Sequence, residues 1–194
     1  MKNLTFVALG DSLTFGYGIP KTHTLTAKLQ ADFPALTIHN RGVNGEVAPG
    51  ANARLETDVL AEHPDLVSIW LGSNDAFLPQ HHTLSLSSYE TNMVNMIEKI
   101  KKDTNAMIVL FTLPTLSDTK GDFLPINFEV VEIFANKTKE IAHTMGCELI
   151  DFYTLMQENS EKETFYQHDG LHLNEICYTF LYTHFKKFFE EKFI

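Results

Sequence analysis

Five short apolar runs recur between Leu4 and Phe152, and each is followed by a stretch with a different rhythm. Leu4 to Leu9 is closed by Gly10, and Leu36 to Asn40 runs into Arg41-Gly42. Leu66 to Leu71 is closed by Gly72 and Ala106 to Leu113 by Pro114, while Glu148 to Phe152 is a weaker fifth run. Apolar segments of this length, bounded by chain-breaking residues, read as buried strands. The intervening stretches have helical spacing. Thr22 to Phe33 carries Leu25 and Leu29, and about Ala51 to Glu62 carries Ala53, Leu55, Val59 and Leu60. Ser87 to Lys102 aligns Met93, Met96, Ile97 and Ile100, and Ile126 to Met145 aligns Val130, Phe134, Ile141 and Met145. A Phe-rich helix from Asn174 to the C-terminus closes the chain. Strands alternating with helices predict an α/β fold, one parallel sheet covered on both faces in three layers.

Right-handed crossovers leave few topologies, and five such strands are expected in the flavodoxin-like order 2-1-3-4-5. The 194 residues make a single domain spanning 1–194. Apolar residues at 44% and charged residues at 21% exclude disorder, collagen-like repeats and coiled coil. A net charge of -10 repels phosphate backbones, which argues against a nucleic-acid partner and against stable binding to anionic membranes. Two cysteines, Cys147 and Cys177, make no disulfide framework. The first apolar run is too short for a secretory core, and no window approaches the roughly 20 apolar residues of a membrane span, so a cytoplasmic location is expected.

In an open parallel sheet, ligands bind beyond the carboxyl ends of the strands, where the order reverses. For the expected order this is between strands one and three. Gly10-Asp11-Ser12-Leu13, Asn40-Arg41-Gly42 and Gly72-Ser73-Asn74-Asp75 follow strands one, two and three, so they share one rim. Asp169-Gly170-Leu171-His172 precedes the last helix. Together these supply a hydroxyl, an imidazole, a carboxylate and hydrogen-bond donors, the parts of an acyl-transfer site.

These blocks resemble those of the GDSL, or SGNH, esterases and lipases. Gly10-Asp11-Ser12-Leu13 is similar to the first block and Asn40-Arg41-Gly42-Val43-Asn44-Gly45 to the second. Gly72-Ser73-Asn74-Asp75 is similar to the third and Asp169-Gly170-Leu171-His172 to the last. They fall in order and span nearly the whole chain. Asn44 stands where small bacterial members often carry Ser, and Cys177 where Gly is frequent. The resemblance implies that Ser12 is the nucleophile, His172 the general base and Asp169 its orienting carboxylate. It implies an oxyanion hole of the Ser12 and Gly42 backbone N–H groups and the Asn74 amide, on a flavodoxin-like fold, with no cofactor and no metal.

The chemistry agrees with the resemblance. A serine hydroxyl needs a base within hydrogen-bond reach, and His172 could take its proton and return it to the leaving group. Asp169, three residues earlier, reaches the same side through a turn. No Gly-x-Ser-x-Gly elbow is present, which disfavours an α/β-hydrolase fold. Asp11 is read as structural, bonding nearby backbone. His168 with His172, and His81-His82, are weak metal pairs beside this reading. Phe77 and Leu78, in the irregular segment 76–86, are candidate acyl-pocket residues. The expected activity is a serine carboxyl-ester hydrolase (lipase, lysophospholipase or thioesterase-like) for small or single-chain acyl esters. A carbohydrate O-acetylesterase is the alternative within the class, and an inactive binding module on the same fold is the alternative outside it. The final helix, with Phe180, Leu181, Phe185, Phe188, Phe189 and Phe193, is expected to pack on the sheet rather than on a membrane surface, any apolar excess serving a homo-oligomer contact.

Overall fold

The computed structural model describes residues 4–77, 86–121 and 128–194, without the side chain of Phe77. Five strands form one parallel sheet: β1 (Thr5–Gly10), β2 (Thr37–Gly42), β3 (Leu66–Trp70), β4 (Met107–Phe111) and β5 (Glu148–Ile150). Their order is β2-β1-β3-β4-β5, as the alternation of the sequence predicts. β1 sits between β2 and β3, with Gly10 in register with Gly42 on one side and Trp70 on the other. The carboxyl ends of these three strands are therefore level.

Alternation of side chains along the strands divides the core in two. Val7, Leu9, Val67, Ile69, Ile108 and Leu110 face helices α3 (Ala48–Ala53), α4 (Leu55–Asp58), α6 (Leu86–Asp103) and α7 (Phe128–Thr144). Phe6, Ala8, Leu66, Trp70, Val109 and Phe111 face α2 (Leu25–Asp32), α8 (Phe152–Gln157) and α9 (Glu175–Phe193). Every residue of β3 is buried, as expected for a central strand, whereas β2 is a half-exposed edge. The final helix buries Cys177, Tyr178, Leu181, Phe185 and Phe189 against the sheet. Its aromatic stripe is core, each large side chain contributing about 1.5–3 kcal/mol of burial. Among the described residues no helix is long and apolar enough to cross a membrane.

The one helix expected from Ala51 to Glu62 is broken into α3, α4 and a 3-10 turn at Leu60–Glu62. The break lies at Arg54, with φ -101° and ψ 5°. Its guanidinium Nη2 donates to the carbonyls of Gly10 at 3.2 Å and Arg41 at 2.9 Å. Nε meets Glu46 at 2.7 Å and Nη1 meets Asp58 at 2.6 Å. Four fixed partners decide the backbone there, over the local helical preference.

Candidate active site

β1 ends at Gly10, where a larger residue would not fit: a Cβ there would come within 2.1 Å of Thr14 Oγ1. The chain then enters a one-turn helix, α1 (Ser12–Phe15), capped by Asp11, whose Oδ1 accepts from the Leu13 N–H at 2.8 Å. Ser12 is thereby held as the first residue beyond the cap, where its N–H has no acceptor within the helix. Asn74, of the third block, is the second residue of α5 (Ser73–Phe77), which is separated from the end of β3 by Leu71 and Gly72. On the far side of the sequence, an isolated antiparallel bridge between Tyr166 and Leu173 closes the loop carrying Asp169 and His172.

These elements bring the three expected catalytic side chains together. Ser12 Oγ lies 3.1 Å from His172 Nε2, and His172 Nδ1 lies 2.7 Å from Asp169 Oδ2. The other carboxylate oxygen accepts the N–H groups of Leu171 at 3.0 Å and His172 at 2.9 Å. Partial burial opposes the charge on Asp169, but the bonds from the His172 ring and from these two N–H groups outweigh it and hold the carboxyl below its ordinary range. A carboxylate at Nδ1 keeps the proton of the neutral ring on that nitrogen and leaves Nε2 to accept from Ser12.

The expected donors for an oxyanion are arranged less simply. Asn74 Nδ2 donates to the Glu46 carbonyl at 2.9 Å, which draws the amide to the turn closed by the Glu46 N–H to Val43 carbonyl bond. The Gly42 N–H donates to Asn40 Oδ1 at 3.0 Å, so it is engaged within its own strand end. The glycine at 42 answers a packing need, since a Cβ there would stand 2.1 Å from the Phe15 nitrogen. Gly45, on the Asn74-linked turn, has φ +77° and open space where a side chain would project. In the sequence Gly45 stands out only as the second glycine of the second block, in the turn that follows β2.

Asp11 is fully buried against its neighbours. Its Oδ2 has no hydrogen-bond partner among the described residues. Desolvation pushes its carboxyl up to about 7, aided by the nearby charges of Asp75 and Glu46 and opposed by the Leu13 N–H. Asp75 in turn accepts from the Ala48 N–H at 3.0 Å. Leu78 and the side chain of Phe77, the candidate acyl-pocket residues, lie outside the described residues, as do His81 and His82. A cavity of about 430 Å³ between α2 and β2 is lined by Phe15, Lys21, Thr26, Asn40 and Gly42 among others, and by none of Ser12, Asn74, Asp169 or His172.

The GDSL-like Lipase/Acylhydrolase family model matches residues 8–179. An isoamyl acetate-hydrolyzing esterase 1 homolog from Mus musculus is 30% identical over 135 residues, covering 62% of this chain and 54% of that protein. An acetylxylan esterase from Geobacillus stearothermophilus is 33% identical over 91 residues, covering 42% of this chain and 41% of that one. The chain thus spans about half the length of the curated relatives it matches. Among solved structures, a lipase/acylhydrolase from Enterococcus faecalis superposes with a TM-score of 0.84 at 24% identity, covering 97% of this chain and 96% of that one. An acetyl xylan esterase, AlAXEase, superposes with a TM-score of 0.79 at 22% identity, covering 95% and 98%. These two likenesses show the fold.

Proposed function

Because this chain belongs to the GDSL-like lipase/acylhydrolase family, we propose that it is a serine carboxyl-ester hydrolase working through an acyl-enzyme on Ser12. The observation that carries the proposal is the continuous chain of short contacts Ser12–His172–Asp169, at 3.1 Å and 2.7 Å. The ester carbonyl carbon meets Ser12 Oγ as His172 Nε2 takes the hydroxyl proton. The imidazolium so formed is held by Asp169, and it returns the proton to the departing alcohol oxygen. Water, deprotonated by the same nitrogen, then releases the acid. The developing oxyanion is assigned to the Ser12 N–H, the second N–H of the Asn74 amide and the Gly45 N–H. Gly45 replaces the Gly42 of the sequence expectation, because the Gly42 donor is already committed to Asn40. Such donors each typically stabilise the transition state by about 2.7–4 kcal/mol.

The substrate proposed is a small ester with a short acyl group. The curated relatives named above are named for acetate esters of an alcohol and of a polysaccharide, which supports a short acyl chain and leaves the alcohol as the variable part. A short-chain p-nitrophenyl ester, a chain-length series and an acetylated xyloside form the test panel. A fluorophosphonate is expected to label the wild-type chain, and Ser12→Ala to lose both label and turnover. Full turnover by that variant would refute the assignment. An idle binding module on this fold predicts no hydrolysis by the clean wild-type chain.

A further inference from the structure

Tyr17 is a large aromatic residue with 46% of its surface exposed, so it is not filling the core. Its ring lies over the His172 imidazole, with centroids 4.4 Å apart and planes 38° from parallel, nearer to stacked than to edge-on. The backbone makes the same junction. The Tyr17 N–H donates to the Ser12 carbonyl at 3.0 Å, and the Tyr17 carbonyl accepts from Gln167 Nε2 at 2.8 Å. Gln167 also donates its own N–H to the His172 carbonyl at 2.8 Å. Residue 17 therefore joins the nucleophile turn to the histidine loop, 150 residues further along the chain. Gly16 and Gly18 flank it at φ +78° and +75°, and a Cβ at 18 would stand 2.2 Å from Gln167 Oε1. The two glycines let the chain fold back and set the tyrosine ring against the histidine.

This deepens the hydrolase reading and rests on it. We propose that Tyr17 is a positioning residue for His172, its ring holding the imidazole against rotation and supporting the imidazolium that forms as Ser12 attacks. Ser12 and Asp169 fix the imidazole at its two nitrogens; among the described residues, Tyr17 is the aromatic ring against its face. An aromatic face attracts a cation centred within about 6 Å, and it gains far less from a neutral ring. The contact thus favours the charged state that exists during the reaction over the resting state, which is the kind of interaction that raises kcat. No bond to Tyr17 forms or breaks, and its hydroxyl is not used.

Tyr17→Leu and Tyr17→Phe, made in the full chain, separate these roles. The leucine variant is expected to lose about two- to fivefold in kcat with KM unchanged, and the phenylalanine variant to keep the wild-type kcat. In proton NMR spectra, the His172 ring resonances are expected upfield in the wild-type and phenylalanine proteins, from the ring current of residue 17, and to move downfield in the leucine variant. Wild-type kcat in the leucine variant, or a loss confined to KM, overturns the proposal. So does an absent upfield shift in the wild-type protein. The resonance positions need no turnover, so these failures are distinct from a wild-type chain that cleaves no ester, which overturns the hydrolase reading.

Discussion

Asp11 shows how one residue can serve the nucleophile while working against the fold. It caps α1 through Oδ1 and leaves Oδ2 buried without a partner among the described residues. Burial, with Asp75 and Glu46 nearby, raises its carboxyl from 3.8 to about 7. For an acid whose folded value lies above its unfolded one, the stabilising contribution is complete below pH 4. It is lost as the pH climbs from there through about 7, and the loss is then complete. Asp11→Asn keeps the capping oxygen and removes the ionisation. Its stability relative to wild type is expected to grow by about 1.4 kcal/mol per pH unit between pH 4 and 7 and to level off above, read from urea midpoints across that range. A flat difference would show that the carboxyl ionises normally. At this scale much was legible in the sequence, because Ser12, Asp169 and His172 are chemically distinctive and fall in two recognisable blocks, the first and the last. Gly42 and Gly45 were harder to tell apart. Both are glycines in one block, and only the packing of Phe15 against Gly42 and the bond from Gly42 to Asn40 set Gly42 apart.

At the scale of the elements, α9 starts at a doubly bonded cap. Asn174 Oδ1 accepts the N–H groups of Ile176 and Cys177 at 3.1 and 3.2 Å. Its Nδ2 donates to the carbonyls of Thr164 at 2.7 Å and Tyr166 at 3.3 Å. One side chain thus ends the histidine loop, begins the helix and ties both to the 3-10 turn at Lys162–Phe165. Asn174→Ala is expected to cost about 1–2 kcal/mol in urea denaturation, and Asn174→Asp, which keeps the cap and loses the two donated bonds, less. Equal losses would place the weight on the donated bonds alone. The aromatic stripe of α9 and the five strands were readable because local periodicity reports which face is buried. The break at Arg54 was not, because its cause is the carbonyls of Gly10 and Arg41, which are distant in sequence and invisible to any local window.

On the scale of the molecule, the two cores lie on opposite faces of the sheet and have separate thiols. Cys147 packs against the α6–α7 core and Cys177 lies in the α9 core. Burial pushes both thiols up, Cys177 the further. The sheet between them rules out an internal disulfide, which residue counting alone left open. Added reductant is expected to leave the thermal midpoint unchanged, and a thiol reagent to reach Cys177 only on unfolding; a midpoint that falls with reductant would contradict this placement. The order of the strands was legible from alternation because handedness leaves so few ways to lay five parallel strands together. The same topology places the nucleophile and its base 160 residues apart in the sequence. During synthesis, the serine is exposed long before its histidine is made. A nascent chain, or one clipped ahead of residue 172, carries the serine motif with no imidazole to activate it, so under the proposed mechanism hydrolysis waits until His172 has been made and has joined the fold.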